Sequence, residues 1–176
     1  MNSGEPFEFL ANGVDVVFEP EGPLYQGKTG RRLKANRMEW SDSTGKTASA
    51  RIIVGFNPGK QCKPKRRLGG RKAYRMDDLI DVVHAVRLRH VGKTDSTFIA
   101  QRGTFTHDDK SVTDESGAQV VMYPLQGELP EQFFWSMQTL AETIAVELSQ
   151  DLVILDFRIG NVNTGTYGFS CRDAER

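Results

Sequence analysis

PEQFFWSMQTLAETIAVELSQDLVILDFRI, residues 130–159, carries the plainest structural signal in the chain. Pro130 marks a first helical turn, with Glu131 placed to complement the helix dipole. Phe133, Phe134, Met137, Leu140, Ala141, Ile144, Ala145 and Leu148 then recur at helical spacing, which predicts an amphipathic helix over 130–148. Leu152 to Ile159 follows as a compact apolar run, rich in β-branched and aromatic residues, and predicts a buried strand. Asp156 interrupts it. Alternation turns its side chain to the sheet face opposite the helices, where Arg158, Arg51 or Arg102 could pair with it.

The same pair of elements is announced upstream. Ala48 to Gly55 (ASARIIVG) reads as a strand closed by Phe56-Asn57-Pro58-Gly59. A helix begins near Asp77, with Asp77 and Asp78 in its first turn and Arg87, Arg89 and His90 before Gly92. Thr97 to Thr106 and Gln119 to Tyr123 read as two strands joined by polar turn residues from His107 to Gly117. From residue 47 onward the order is thus strand, helix, strand, strand, helix, strand. That order predicts an α+β domain at 47–176 with a mainly antiparallel sheet of four or five strands and two helices on one face. It is the ferredoxin-like order β-α-β-β-α-β. A fifth strand could come from Thr166 to Ser170, and residues 1–46 read as an N-terminal extension with one strand at 14–18.

The composition is that of an ordinary globular chain: 176 residues, 38% hydrophobic and 26% charged. No apolar run approaches the roughly 20 residues that span a bilayer, so no membrane partner is expected. The opening MNSGEPFEFL lacks a basic region, and Cys62 and Cys171 are too few and too far apart to suggest a disulfide framework or a zinc site. The expectation is a cytoplasmic protein that needs no cofactor or metal.

Net charge is zero, yet the two halves differ in sign. Residues 1–75 hold 15 Lys and Arg against 7 acids. The densest segment contains Lys60, Lys63, Lys65, Arg66, Arg67, Arg71, Lys72 and Arg75 without one acid. Such a loop can follow a phosphate backbone, with Tyr74 stacking on a base, or it can pair with the protein's own acids. Opposite charge on the two halves also favours a homo-oligomer assembled head to tail. The leading expectation is therefore a non-catalytic binding or assembly protein whose basic loop contacts nucleic acid or another polyanion.

A rival reading starts from Gly22-Pro23-Leu24-Tyr25-Gln26-Gly27-Lys28-Thr29, which fits the phosphate-cradle pattern G-x-x-x-x-G-K-[ST]. Here Gly22 and Gly27 would shape the loop, Lys28 would reach phosphate, Thr29 would contact Mg²⁺, and Asp156 would assist the metal. Tyr25 inside the loop, and the lack of an apolar helix after it, count against a nucleotide-binding enzyme. A self-assembling structural protein is the third reading.

Overall fold

The computed structural model describes residues 5–11, 13–26, 31–32, 48–91, 98–107, 115–124, 128–160 and 162–175. In chain order the elements are β1 (Phe7–Ala11), β2 (Val14–Gln26), β3 (Arg31–Arg32), β4 (Ala48–Gly55), α1 (Met76–Val91), β5 (Phe98–His107), β6 (Glu115–Met122), α2 (Pro130–Glu147), β7 (Val153–Ile159) and β8 (Val162–Phe169). A short 3-10 helix, Cys171–Glu175, follows β8. Strand neighbours run β1-β2-β5-β6-β4-β7-β8, with the two-residue β3 paired to β2. Every pairing is antiparallel.

The expected ferredoxin-like sheet of four or five strands is thus corrected to a seven-stranded sheet curled into a half-barrel. The added strands come from segments with weak or misleading signals. β2 runs through Pro20, Glu21, Gly22 and Pro23, a stretch that reads as a turn. Its pairing with β5 shifts register between Pro20 and Leu24, with Gly22 at φ 82°. A bulge absorbs the prolines and lets the strand resume instead of ending. β1 pairs with β2 from Phe7↔Phe18 to Ala11↔Val14 and carries the sheet one strand further.

Alternation along the strands gives the sheet two distinct faces. Ile52 and Val54 of β4, Val120 and Met122 of β6, and Leu155 and Phe157 of β7 face α1 and α2. There they meet Leu79, Val83 and Val86 of α1 and Phe133, Met137, Leu140 and Ile144 of α2, all buried. Asp78 begins α1 by accepting a 2.8 Å hydrogen bond from the Arg75 amide, the carboxylate half of a capping box. The opposite face gathers Val16, Phe18, Ile53, Phe105 and Ile154, with Phe7, Phe9 and Ala11 of β1 packed on them. Phe7 lies 4.6 Å from the Arg51 guanidinium although β1 and β4 stand four places apart in strand order. The sheet therefore wraps around this second face, making it concave. Among the described residues no helix is long and apolar enough to cross a membrane.

Candidate active site

The concave face divides into a closed charged section and an open pocket. Asp156, fully buried, lies 3.8 Å from Arg51 and 3.3 Å from Arg158, and accepts hydrogen bonds from Asn163 (2.7 Å) and Thr166 (3.4 Å). Arg51 and Arg158 are the pairing that alternation allows, while Arg102 falls on the other face and is exposed. Burial lowers the Arg51 pKa, and the Asp156 charge works against that shift. Arg51 also donates to the Glu5 carbonyl at 3.3 Å, and Phe7 covers it. Asp156 is thus committed to a buried network and does not serve a magnesium site. Gly22 of the phosphate-cradle pattern sits in the β2 bulge, while Gly27, Lys28 and Thr29 lie outside the described residues.

Further along the same face a cavity of about 330 Å³ opens. Its floor is apolar: Phe9 of β1, Val16 of β2, Ile53 of β4, Phe105 of β5 and Ile154 of β7. The rings of Phe9 and Phe105 meet edge to face at 6.2 Å. Gly117 of β6 makes this floor possible, because a Cβ there would collide with the Phe105 ring and the Val54 carbonyl. The rim is polar: Glu115, His107, Gln150, Asp151, Asn57 and Lys60.

Glu115 begins β6 and its carboxylate crosses over Gly55, where an added Cβ would stand 2.5 Å from Oε1. The Asn57 amide donates to that oxygen at 3.0 Å. Gln150 holds the loop that supplies Asn57, donating to the Asn57 carbonyl at 3.0 Å and to the Leu148 carbonyl at 2.7 Å. Burial pushes the Glu115 carboxyl above the ordinary Glu range. The Asn57 hydrogen bond and His107 oppose the shift, and the neighbouring Asp151 adds to it. One Asp151 carboxylate oxygen is buried with no hydrogen-bond partner among the described residues. An aromatic floor with two carboxylates at its rim suits a flat heterocycle carrying a cationic group.

The basic segment is arranged differently from the expectation. Tyr74 is 3% exposed and donates to the Arg66 carbonyl at 3.3 Å, so it cannot stack on a base. Arg66 pairs with Asp78 at 3.5 Å and Asp81 at 3.4 Å, and Arg71 pairs with Asp78 at 3.1 Å. Burial alone would raise the Asp78 carboxyl, but the Arg75 amide, Arg71 and Arg66 outweigh it and hold the group below the ordinary Asp range. Lys63, Lys65, Arg67, Lys72 and Arg75 are exposed, and Lys60 joins the pocket rim.

Sequence reasoning missed Glu115 and His107, which read as turn residues between two strands. It also missed the pairing of Cys62 with Cys171, joined as a disulfide across 109 residues of sequence. Only the position of Glu115 beside Gly117, two residues before a clear apolar run, hinted that it begins a strand.

No protein-family profile matches the chain, and no curated protein matches it. Two solved structures do resemble it. A phage SAM lyase in its apo state is 25% identical at TM-score 0.55, over 76% of this chain and 96% of the lyase chain. A phage SAM lyase in complex with S-methyl-5'-thioadenosine is 26% identical at TM-score 0.54, over 72% of this chain and 91% of that one. This likeness to an enzyme overturns the expectation of a non-catalytic binding or assembly protein, and it lends no support to a nucleotide site at residues 22–29.

Proposed function

We propose that this chain is a sulfonium-cleaving lyase that converts S-adenosylmethionine to S-methyl-5'-thioadenosine in the pocket of the concave face. The observation that carries the reading is the likeness to the phage lyase along nearly all of that enzyme's length. The chemistry of the pocket supports it.

S-methyl-5'-thioadenosine keeps the methyl and adenosyl groups on sulfur, so the bond that breaks joins sulfur to the γ-carbon of the methionyl arm. Sulfur takes the electron pair and becomes a neutral thioether. The γ-carbon side is completed from within the substrate, by attack of its own carboxylate oxygen to close a five-membered ring. Positive charge on sulfur and negative charge on the carboxylate vanish together. A reaction that consumes charge is favoured where water is scarce, because losing hydration disfavours the charged substrate more than the dispersed transition state. The floor of Phe9, Val16, Ile53, Phe105 and Ile154 supplies that environment and a surface for the purine. Glu115 and Asp151 at the rim hold the cationic arm, and Lys60 beside them can take its carboxylate.

The test is incubation of the protein with S-adenosylmethionine and chromatographic measurement of S-methyl-5'-thioadenosine. Turnover is expected, with KM raised about tenfold in Glu115→Gln if one charged contact worth about 1.4 kcal/mol is lost. Product formation no faster than in the protein-free control would overturn the proposal.

A further inference from the structure

The wall of the pocket that carries Asn57 and Lys60 is held by a disulfide that the proposed reaction does not use. Cys62 lies two residues beyond Lys60 and is partly exposed, whereas Cys171 is 3% exposed at the start of the terminal 3-10 helix. Their Cα atoms are 6.2 Å apart. Around the bond, three short hydrogen bonds tie the two cysteine segments to the intervening Ser149–Gln150 turn. The Gly59 amide donates to the Ser149 carbonyl at 2.7 Å, the Ser149 hydroxyl to the Lys63 carbonyl at 2.9 Å, and the Cys171 amide to the Gln150 carbonyl at 2.9 Å. Residues 57–63, 148–151 and Cys171 thus form one wall, in which the disulfide joins the first member covalently to the last.

We infer that Cys62–Cys171 is a thiol-exchange site that latches this wall, so that a dithiol reductant loosens the pocket's hold on its ligand. Little apolar contact holds the segment otherwise. Gln61, Lys63, Pro64 and Lys65 are exposed, and Lys60, Lys63, Lys65 and Arg67 repel one another, while Arg66 is paired with Asp78 and Asp81. Opening the bond leaves residues 57–63 held to the Ser149–Asp151 turn by hydrogen bonds without a covalent tie, and frees them to depart from it.

The chemistry follows from exposure. A reductant thiolate attacks the accessible Sγ of Cys62 and forms a mixed disulfide, and Cys171 leaves as a thiolate that takes up a proton. The second thiol of the reagent then displaces Cys62, which also gains a proton, and the reagent closes to its cyclic disulfide. Two electrons and two protons pass to the protein. A carboxylate oxygen of Asp151 lies within 4.8 Å of both sulfurs, and its charge disfavours either thiolate.

The experiment compares the full chain before and after dithiothreitol, with a Cys62→Ser, Cys171→Ser double variant alongside. Alkylation should label neither cysteine before reduction and both after it. Amide exchange at Gly59 and Asn57 should quicken about tenfold or more on reduction, while Ile52–Val54 amides of β4 keep their rates. The double variant should exchange like the reduced protein and ignore dithiothreitol. With S-adenosylmethionine as probe, reduction should raise KM several-fold more than it lowers kcat; this readout alone rests on the proposed lyase activity. Cysteines that alkylate without reductant, or wall amides that exchange equally in both states, overturn the latch. A chain that cleaves no S-adenosylmethionine overturns the lyase reading and leaves the exchange measurement to decide the latch by itself.

Discussion

The two faces of the sheet are built from the same strands and solve opposite problems. On the helix side, Ile52, Val54, Val120 and Leu155 meet α1 and α2 in a continuous apolar cluster. On the concave side the adjacent residues, Arg51, Ile53, Gln119 and Asp156, combine buried charge and amide groups with a small apolar cluster. The first face is bought with apolar area. The second depends on pairing each polar group, and so it is the face able to discriminate a polar ligand. One strand therefore contributes stability and selectivity on alternate residues.

The sharpest way to break the contrast is at Asp156. Asp156→Ala leaves Arg51 charged and buried, and chemical denaturation should register a loss of about 3–5 kcal/mol. Combining Arg51→Met with Asp156→Leu should recover most of it, since an apolar pair of similar size needs no partner. A double variant as unstable as the single one would show that packing around Phe7, and not charge, governs this section.

On the helix face, Leu140→Ala should cost about 2–5 kcal/mol, with pocket binding unchanged. Gly117→Ala should cost less in stability, about 1–3 kcal/mol, because the new methyl meets the Phe105 ring and the Val54 carbonyl. It should nevertheless weaken ligand binding more than Leu140→Ala does. The opposite ranking in titrations with S-methyl-5'-thioadenosine would dissociate Phe105 from the site.

The smallest effect concerns pH. Burial raises the folded-state Glu115 carboxyl above its ordinary value of 4.5. Its favourable contribution is complete below that ordinary value and is lost as pH rises through the raised one. Glu115→Gln should therefore unfold at a slightly higher temperature than the wild type at neutral pH, and the gap should close in acid. Equal melting temperatures throughout would mean that Asn57 and His107 fully offset the burial.

The helix face was legible because its signals are periodic. The run in β4, the stripes of α1 and α2, and the alternation in β7 each locate an element within a few residues. Asp156 was also readable as a concave-face residue, with Arg51 among its partners, because parity along a strand follows from sequence alone. The outer strands were legible only in part, as the strand read at 14–18 and the possible one at 166–170. β2 hides behind Pro20 and Pro23, whose usual effect a bulge cancels, and β8 (VNTGTYGF) is polar and mostly exposed. β1 did alternate, as Phe7, Phe9 and Ala11 against Glu8 and Leu10, but five residues near a terminus give a weak signal. The pocket was beyond reach for a different reason. It exists only where the sheet curls enough to bring Phe9 over Ile154, and curvature is a property of paired strands, not of any one segment.

The strand order also sets a schedule. β4 is complete at residue 55, yet its neighbours are β6, which begins at residue 115, and β7, which begins at residue 153. On a ribosome adding about 5–20 residues per second, the apolar stretch RIIV waits several seconds for its first partner. Its second arrives later still. During that interval both faces and both hydrogen-bonding edges of β4 are unprotected, the state in which a strand is most prone to join a neighbouring nascent chain. Chains stalled before residue 115 should be cleaved readily within β4 by added protease, and chains released at full length should resist. The architecture that gives the finished protein a central strand buried on both sides thus places its greatest hazard early in synthesis, where temperature and the pace of translation act on it.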